Sequence, residues 1–235
     1  MNKEKREIVI PSQFLGEIKD KKKDGFGTYI ENGKIYSNLL GILNTYKDRS
    51  NNEILSVTPL KGRYEPNERD FVIGYVMEAL SSIWLVDINA PYPARLHVND
   101  VPWRVDFGET EKYLNYGDTI MAKILSVDEE KKLDLTLKDR NDRNLKKVKG
   151  GQIIEVAPSK VPRIIGKKGS MVSILKKYTQ CRMFVGQNGR IWIDGPDEGV
   201  KKLIDTIRII EREALSFGLT NKIENMLKKN AKDVH

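Results

Sequence analysis

Through the first 137 residues apolar and polar positions alternate with a period of two, and beyond residue 150 the period lengthens to three or four. The chain therefore reads as β-rich followed by mixed α and β. Residues 1–66 read as a small β domain. It has a strand over Glu7 to Ile10, a hairpin over Thr28 to Ser37, and a second ribbon through Leu39 to Leu43 and Ile54 to Val57. The hairpin is the firmest of these, because Asn32-Gly33 tolerates the positive φ of a type I′ turn and alternation flanks it on both sides. Lys19 to Lys23 reads as a solvated loop, and Lys61 to Asn67 as a linker.

Residues 67–146 carry five short strands: Phe71 to Ala79, Ile83 to Ile88, Ala94 to His97, Thr119 to Val127 and Leu133 to Leu137. Five strands of this size predict an OB-type barrel. In residues 147–235 the order is a strand over Gln152 to Val156, short helices over Ser159 to Ile165 and Met171 to Tyr178, and strands over Cys181 to Val185 and Arg190 to Asp194. A long helix follows from Pro196 to about Ser216, with Val200, Leu203, Ile204, Ile207 and Ile210 on one face; Phe217-Gly218 breaks it, and a short helix spans Asn221 to Lys229.

The two short helices are joined by Gly166-Lys-Lys-Gly169. Glycines let a ligand backbone approach closely, and Ser170 is placed to cap the next helix. Unpaired N–H groups, a positive helix end and the Lys167 and Lys168 ammonium groups would then converge on one phosphate path. A bare Gly-x-x-Gly is also an ordinary helix-turn-helix corner. Charge separates the two readings. The chain holds 41 Lys plus Arg against 33 Asp plus Glu, a net +8, and residues 147 to 182 alone supply nine basic residues against the single acid Glu155. Residues 67–146 are net negative, with 11 basic and 15 acidic residues. A patch that carries the whole net charge around a glycine loop is the footprint of a phosphate-backbone binder.

The alternating strands around the charged turn in Gly117 to Lys138 resemble the S1 type of RNA-binding domain, and the β-α-α-β-β-α order around Gly166 to Gly169 resembles a type I KH domain. Taken whole, with Lys61-Gly-Arg-Tyr-Glu-Pro66, Asp70-Phe-Val-Ile-Gly-Tyr-Val76 and Gly186-Gln-Asn-Gly189, the chain resembles the archaeal exosome cap subunits that carry both modules. That resemblance implies a non-catalytic role. Three copies would sit on a hexameric ring of phosphorolytic subunits, bind single-stranded RNA and pass its 3′ end into the pore for 3′–5′ degradation, with a preference for adenine-rich tails. It also implies a first domain that docks on the ring, and the single Cys181 fits a reducing, cytoplasmic setting. One departure stands out: at the barrel positions where S1 domains present aromatic residues, this chain has Ser82 and Leu85, with Trp84 between them. His97 matches the family histidine, and Asp128 and Lys132 lie near its acidic and basic positions.

The expected RNA contacts are Gly166, Lys167, Lys168 and Gly169, with Arg163 beside them and Ile164, Ile165 and Val172 flooring the groove or the core. In the barrel, Tyr92, Arg95, His97, Trp103 and Arg104 could line an RNA path, or Trp103 could plug the core with the arginines solvated. Gly186 to Gly189 reads as a structural hairpin turn rather than a second clamp. Phe14, Leu15 and Phe26 are candidates for ring contacts, with core packing the more common role for such residues.

An enzyme is not expected. The chain has two histidines, His97 and His235, no clustered carboxylates outside the Asp128-Glu-Glu130 turn, and no nucleophile triad, so neither cofactor nor catalytic metal is expected. One cysteine, Cys181, excludes an intrachain disulfide, and the longest apolar runs are far short of the roughly 20 residues that span a bilayer. No membrane and no DNA partner is expected. The competing reading is a free-standing S1/KH RNA-binding regulator of translation or RNA stability.

Overall fold

The computed structural model describes all residues except 1–6, 19–21, 49, 61, 129, 131, 140–144, 215, 217 and 233–235, and the side chains of 229–232. His235, Phe217, Glu129 and the first part of the Lys19 to Lys23 segment therefore lie outside the described residues. The chain divides into two compact units, 1–62 and 63–235.

In the first unit, β1 (Ile8–Val9), β6 (Gly41–Lys47), β7 (Glu53–Pro59) and β3 (Lys22–Asp24) form one sheet, and β2 (Phe14–Glu17), β5 (Lys34–Ser37) and β4 (Thr28–Glu31) another. The β4–β5 hairpin turns at Asn32 and Gly33, whose φ values of 49° and 73° are those of a type I′ turn. Two expectations fail here. Lys22 and Lys23 are not loop residues but pair in parallel with Glu53 and Ile54. The lysines face Glu53 at 3.6 Å and Asp48 at 3.7 Å, so cross-strand charge stands where apolar alternation would have been looked for. Phe14 and Phe26 do not fill the core, which rests on Val9, Ile35, Ile42, Leu55 and Val57; both phenylalanines are exposed, as are Ile8, Ile10, Ile18, Ile30, Leu40 and Tyr46.

In the second unit, β8 (Phe71–Ala79), β9 (Ile83–Asp87), β10 (Ala94–His97), β11 (Thr119–Val127) and β12 (Leu133–Thr136) make a closed five-stranded barrel. Closure comes from β12, which runs parallel to β10 and antiparallel to β11. The barrel buries Trp84, Val86, Leu96, Leu114, Ile120, Ile124 and Leu135. Trp84 Nε1 donates to the carbonyls of Thr110 and Leu114 at 3.3 and 3.1 Å, tying a 3-10 turn over one end of the barrel. The expected linker is part of this barrel: Tyr64 is buried among the core residues, and its hydroxyl donates to Asp70 Oδ2 at 2.7 Å.

A short β13 (Lys146–Lys147) pairs with β11 and leads to β14 (Gln152–Glu155), α1 (Val161–Ile165), α2 (Ser170–Thr179), β15 (Arg182–Val185), β16 (Arg190–Asp194), α3 (Asp197–Arg212) and α4 (Leu219–Lys232). The antiparallel sheet β14-β16-β15 packs its Met183, Ile191 and Ile193 against Ile164, Met171, Leu175, Leu203 and Ile207 of the helices. This is the type I KH order. Pro196 is the cap of α3 rather than part of its first turn, and α4 is longer than expected because Leu219, Ile223 and Leu227 complete the same core.

The barrel and the KH fold are locked together by the Gly186-Gln-Asn-Gly189 turn. Asn188 is fully buried; its Oδ1 accepts from Ile73 N–H at 3.3 Å, and its Nδ2 donates to the carbonyls of Ile73 and Ile88 at 2.7 and 2.9 Å. Gln187 exchanges two hydrogen bonds with the Phe71 backbone. Arg190, 6% exposed, reaches Asp87 Oδ2 at 2.5 Å and Glu155 Oε1 at 3.1 Å, and lies 4.5 Å from the ring centroid of Tyr75. A Cβ on Gly186 would meet Asn188 Oδ1 at 2.4 Å, and one on Gly189 would meet the Val156 carbonyl at 2.4 Å, so both glycines serve close packing. Buried polar groups are costly unless paired, and here each finds a partner about 100 residues away.

Candidate nucleic-acid interface

The Gly166 to Gly169 loop folds differently from the simple capped corner expected. Gly166 ends α1 at φ 73°, ψ 170°, a region open to glycine alone, and a Cβ there would strike Met171 N at 2.7 Å. Lys167 to Gly169 form a single 3-10 turn in which Lys168 (φ 52°) and Gly169 (φ 77°) are both left-handed. Ser170 does not cap α2; it is already helical, and Gly169 occupies the cap position with no side-chain bond. Nor are all the N–H groups open: Gly169 donates to the Gly166 carbonyl at 3.1 Å and Ser170 to that of Lys167. The turn closes on itself because consecutive left-handed residues bring those donors back over the end of α1. What remains outward is the open flank of Gly169, where a Cβ would meet nothing within 4 Å, and the two exposed lysines.

The barrel and the KH fold differ in how many of their cations are paired. In the barrel, Arg95 pairs with Asp134, Arg104 with Asp106, Lys112 with Glu109, Lys123 with Asp139 and Lys132 with Glu130; Lys147 on β13 pairs with Asp118. The Lys112 ammonium is held above its usual value by the hydrogen bond and charge of Glu109. By contrast Lys160, Lys167, Lys168 and Lys176 make no ion pair among the described residues, although Arg182, Arg190, Arg208, Lys222 and Lys228 of the same fold do. Uncompensated positive charge therefore collects around the glycine loop.

Arg163 donates to the Ser216 carbonyl at 2.6 Å, joining α1 to the segment after α3, while Ile164 is core and Ile165 and Val172 are half-buried beside the loop. Arg95 Nη2 lies 2.8 Å from Asp134 Oδ1. His97 Nδ1 accepts from Asn99 N–H at 3.1 Å and so caps a turn. Arg104 and Tyr92 are exposed. Trp84 fills the barrel core, and Trp103 stacks on Tyr113 with centroids 6.2 Å apart. The outer face of β9 carries Ile83, Leu85 and Asp87 and no aromatic residue, and Ser82 lies just before the strand. The sequence pattern did not single out Phe107 and Tyr116, which stand exposed on turns; the only signal was a glycine after each.

Among the described residues there is no group of three or more His, Cys, Asp or Glu that could hold a metal ion, and no helix is long and apolar enough to cross a membrane.

A KH domain family model (KH_6) matches residues 151–199, the segment from β14 into the start of α3. The exosome complex component Rrp4 of Methanosarcina mazei is 48% identical over 223 residues, covering 95% of this chain and 82% of that protein. The chain belongs to the Rrp4 family of exosome complex components. The Rrp4 protein of Thermoplasma acidophilum is 45% identical over 224 residues, covering 95% of this chain and 91% of that one. Among solved structures, one of a protein assigned as an exosome complex RNA-binding protein superposes with a TM-score of 0.63 at 34% identity, covering 74% of this chain and all of the other. The Rrp4 likeness spans both units, so it includes the first β domain as well as the barrel and KH modules.

Proposed function

We propose that this chain is a non-catalytic, RNA-binding subunit of an exosome, in which the KH loop grips the backbone of single-stranded RNA and the first unit docks on a ring of phosphorolytic subunits. The observation that carries the reading is the Gly166 to Gly169 turn with Lys167 and Lys168 exposed and without ion pairs among the described residues. Phosphates lie against the open flank of Gly169 while the half-buried Ile165 and Val172 offer an apolar surface to the bases, a grip on about four nucleotides. Tyr92, Arg95, His97 and Arg104 lie along the route by which RNA crosses the barrel.

Docking through the first unit is supported by its apolar surface. Among the described residues, five apolar side chains are buried in its core, whereas eight large ones stand exposed, an excess that a small domain reduces by covering that surface with a partner. A free-standing regulator gives no reason for such a surface. With three caps on one hexameric ring, weak single sites add through effective concentration and deliver 3′ ends to the pore. A preference for adenine-rich RNA belongs to the same proposal and rests on the family likeness alone.

Size-exclusion of the full chain with and without an archaeal phosphorolytic ring tests the assignment, with RNA cleavage assayed on the chain alone. Co-elution at three chains per ring and no cleavage by the isolated chain are expected. A chain that ignores the ring, or that degrades RNA unaided with magnesium or phosphate, contradicts it.

A further inference from the structure

Phe107 and Tyr116 are the two most exposed large apolar residues described, at 84% and 85%. They occupy matching settings, Asp106-Phe-Gly-Glu109 and Asn115-Tyr-Gly-Asp118. The glycine after each has positive φ, and a Cβ on it would meet nothing within 4 Å, so space beside each ring is open. Both turns are pinned to the same stretch of chain: Gly108 N–H donates to the Ser81 carbonyl at 3.0 Å and Gly117 N–H to that of Val76 at 2.8 Å. Asn115 N–H adds a bond of 2.7 Å to Asp118 Oδ2. The two anchors, Val76 and Ser81, lie five positions apart along the chain and are therefore at most about 18 Å apart.

Neither ring packs on another ring among the described residues, in contrast to Trp103 on Tyr113. A protein-interface hot spot sits in a desolvated apolar surround. These rings instead stand clear of polar turns on a backbone that is already ordered, which is the arrangement of a base-stacking platform. The cations beside them are taken up in the Arg104–Asp106, Lys112–Glu109 and Lys147–Asp118 pairs, so phosphate attraction has to come from elsewhere.

We propose that Phe107 and Tyr116 are stacking posts for unpaired RNA bases on the barrel, in place of the aromatic residues missing at Ser82 and Leu85. This rests on the RNA-binding reading above. The KH loop supplies the salt-sensitive part of the affinity and the barrel posts a salt-insensitive, base-dependent part.

The test titrates the full chain with an oligoadenylate of about twelve nucleotides, within the span single-strand binders cover, and with an abasic ribose-phosphate chain of equal length. Phe107→Ala and Tyr116→Ala should each weaken oligoadenylate binding roughly fivefold to a hundredfold. The salt slope and the abasic affinity should not change, and Tyr116→Phe should retain the original affinity. Unaltered oligoadenylate affinity in both alanine variants, alongside a loss in the Lys167→Ala/Lys168→Ala double variant, overturns the posts and leaves the KH reading intact. If the lysine pair is also without effect, the underlying RNA reading fails. Intact RNA affinity with lost co-elution on the ring makes these rings protein contacts and equally overturns the proposal.

Discussion

Replacing Asn188 by alanine tests whether the barrel and the KH fold are a single cooperative body. The change leaves the Ile73 N–H and the Ile88 carbonyl without partners inside the protein, while the Ile73 carbonyl retains Arg190 Nη1 at 3.4 Å. A buried N–H left unpaired costs about 1–3 kcal/mol, and an under-satisfied carbonyl about 1 kcal/mol. Loss of the side chain's own packing keeps the total at about 2–4 kcal/mol. Gln187→Ala removes a bond that is only partly buried, where water can replace the lost acceptor, so it should cost about 0.5–1.5 kcal/mol. Urea unfolding of single-tryptophan variants reads both modules, since Trp84 lies in the barrel and Trp192 on the KH strand β16. In the parent the two probes should report one transition. In Asn188→Ala the midpoints should fall and separate. A loss below about 1 kcal/mol, or two probes that never coincide even in the parent, refutes the idea that this turn joins the modules.

Lys168 is left-handed, which costs a residue other than glycine about 1–2 kcal/mol, and asparagine tolerates that conformation. Lys168→Asn should therefore leave thermal stability equal or raise it by up to about 1 kcal/mol while weakening RNA binding; a loss of stability contradicts a functional origin for the strain. Burial pushes the Asp118 carboxyl up, but the Asn115 N–H and the Lys147 ammonium outweigh it and hold the group below its usual value. Its contribution to stability is then full above the unfolded value near 3.8 and is lost as pH falls through the lower folded value, so Asp118→Asn should flatten the acid limb of a stability–pH curve. An unchanged acid limb counts against the pair. Phe26→Ser should alter the stability of the isolated chain by less than about 0.5 kcal/mol and Phe14→Ser, which also loses its edge-on contact with Tyr36, by about 0.5–1.5 kcal/mol, yet both should reduce co-elution with the ring. Large destabilisation would return both residues to the core.

Where alternation and turn chemistry act locally, the fold was legible. The Asn32-Gly33 hairpin, the strands β8, β10 and β11, and the change of period at the KH fold follow from neighbours along the chain. Features fixed by distant partners were not. Lys22 to Asp24 become a strand only because β7 offers a parallel edge, and Tyr64 leaves its polar linker because Asp70 and the barrel core receive it. Gly186 to Gly189 was readable as a hairpin turn, but not as the junction, since Ile73, Asp87 and Ile88 lie about 100 residues upstream. At the KH loop the residues were identifiable from glycine spacing and charge. Its left-handed Lys168 and its self-closing N–H groups were not, because they depend on how Gly166 packs against Met171. Likewise the ion pair that occupies Arg95 requires the β10–β12 register that only the closed barrel supplies, whereas Arg104 pairs locally with Asp106, two residues along the chain.

The central claim is that Lys167 and Lys168 hold the RNA backbone, and the salt dependence of affinity for a short unstructured oligoribonucleotide measures it most directly. For about four neutralised phosphates, log affinity should fall against log salt with a slope of about −2.8, or roughly twentyfold between 50 and 150 mM salt. Neutralising both lysines should bring the slope to about −1.4 and the loss to roughly fivefold. The same slope and the same affinity in parent and double variant would place the RNA grip somewhere other than the Gly166 to Gly169 turn.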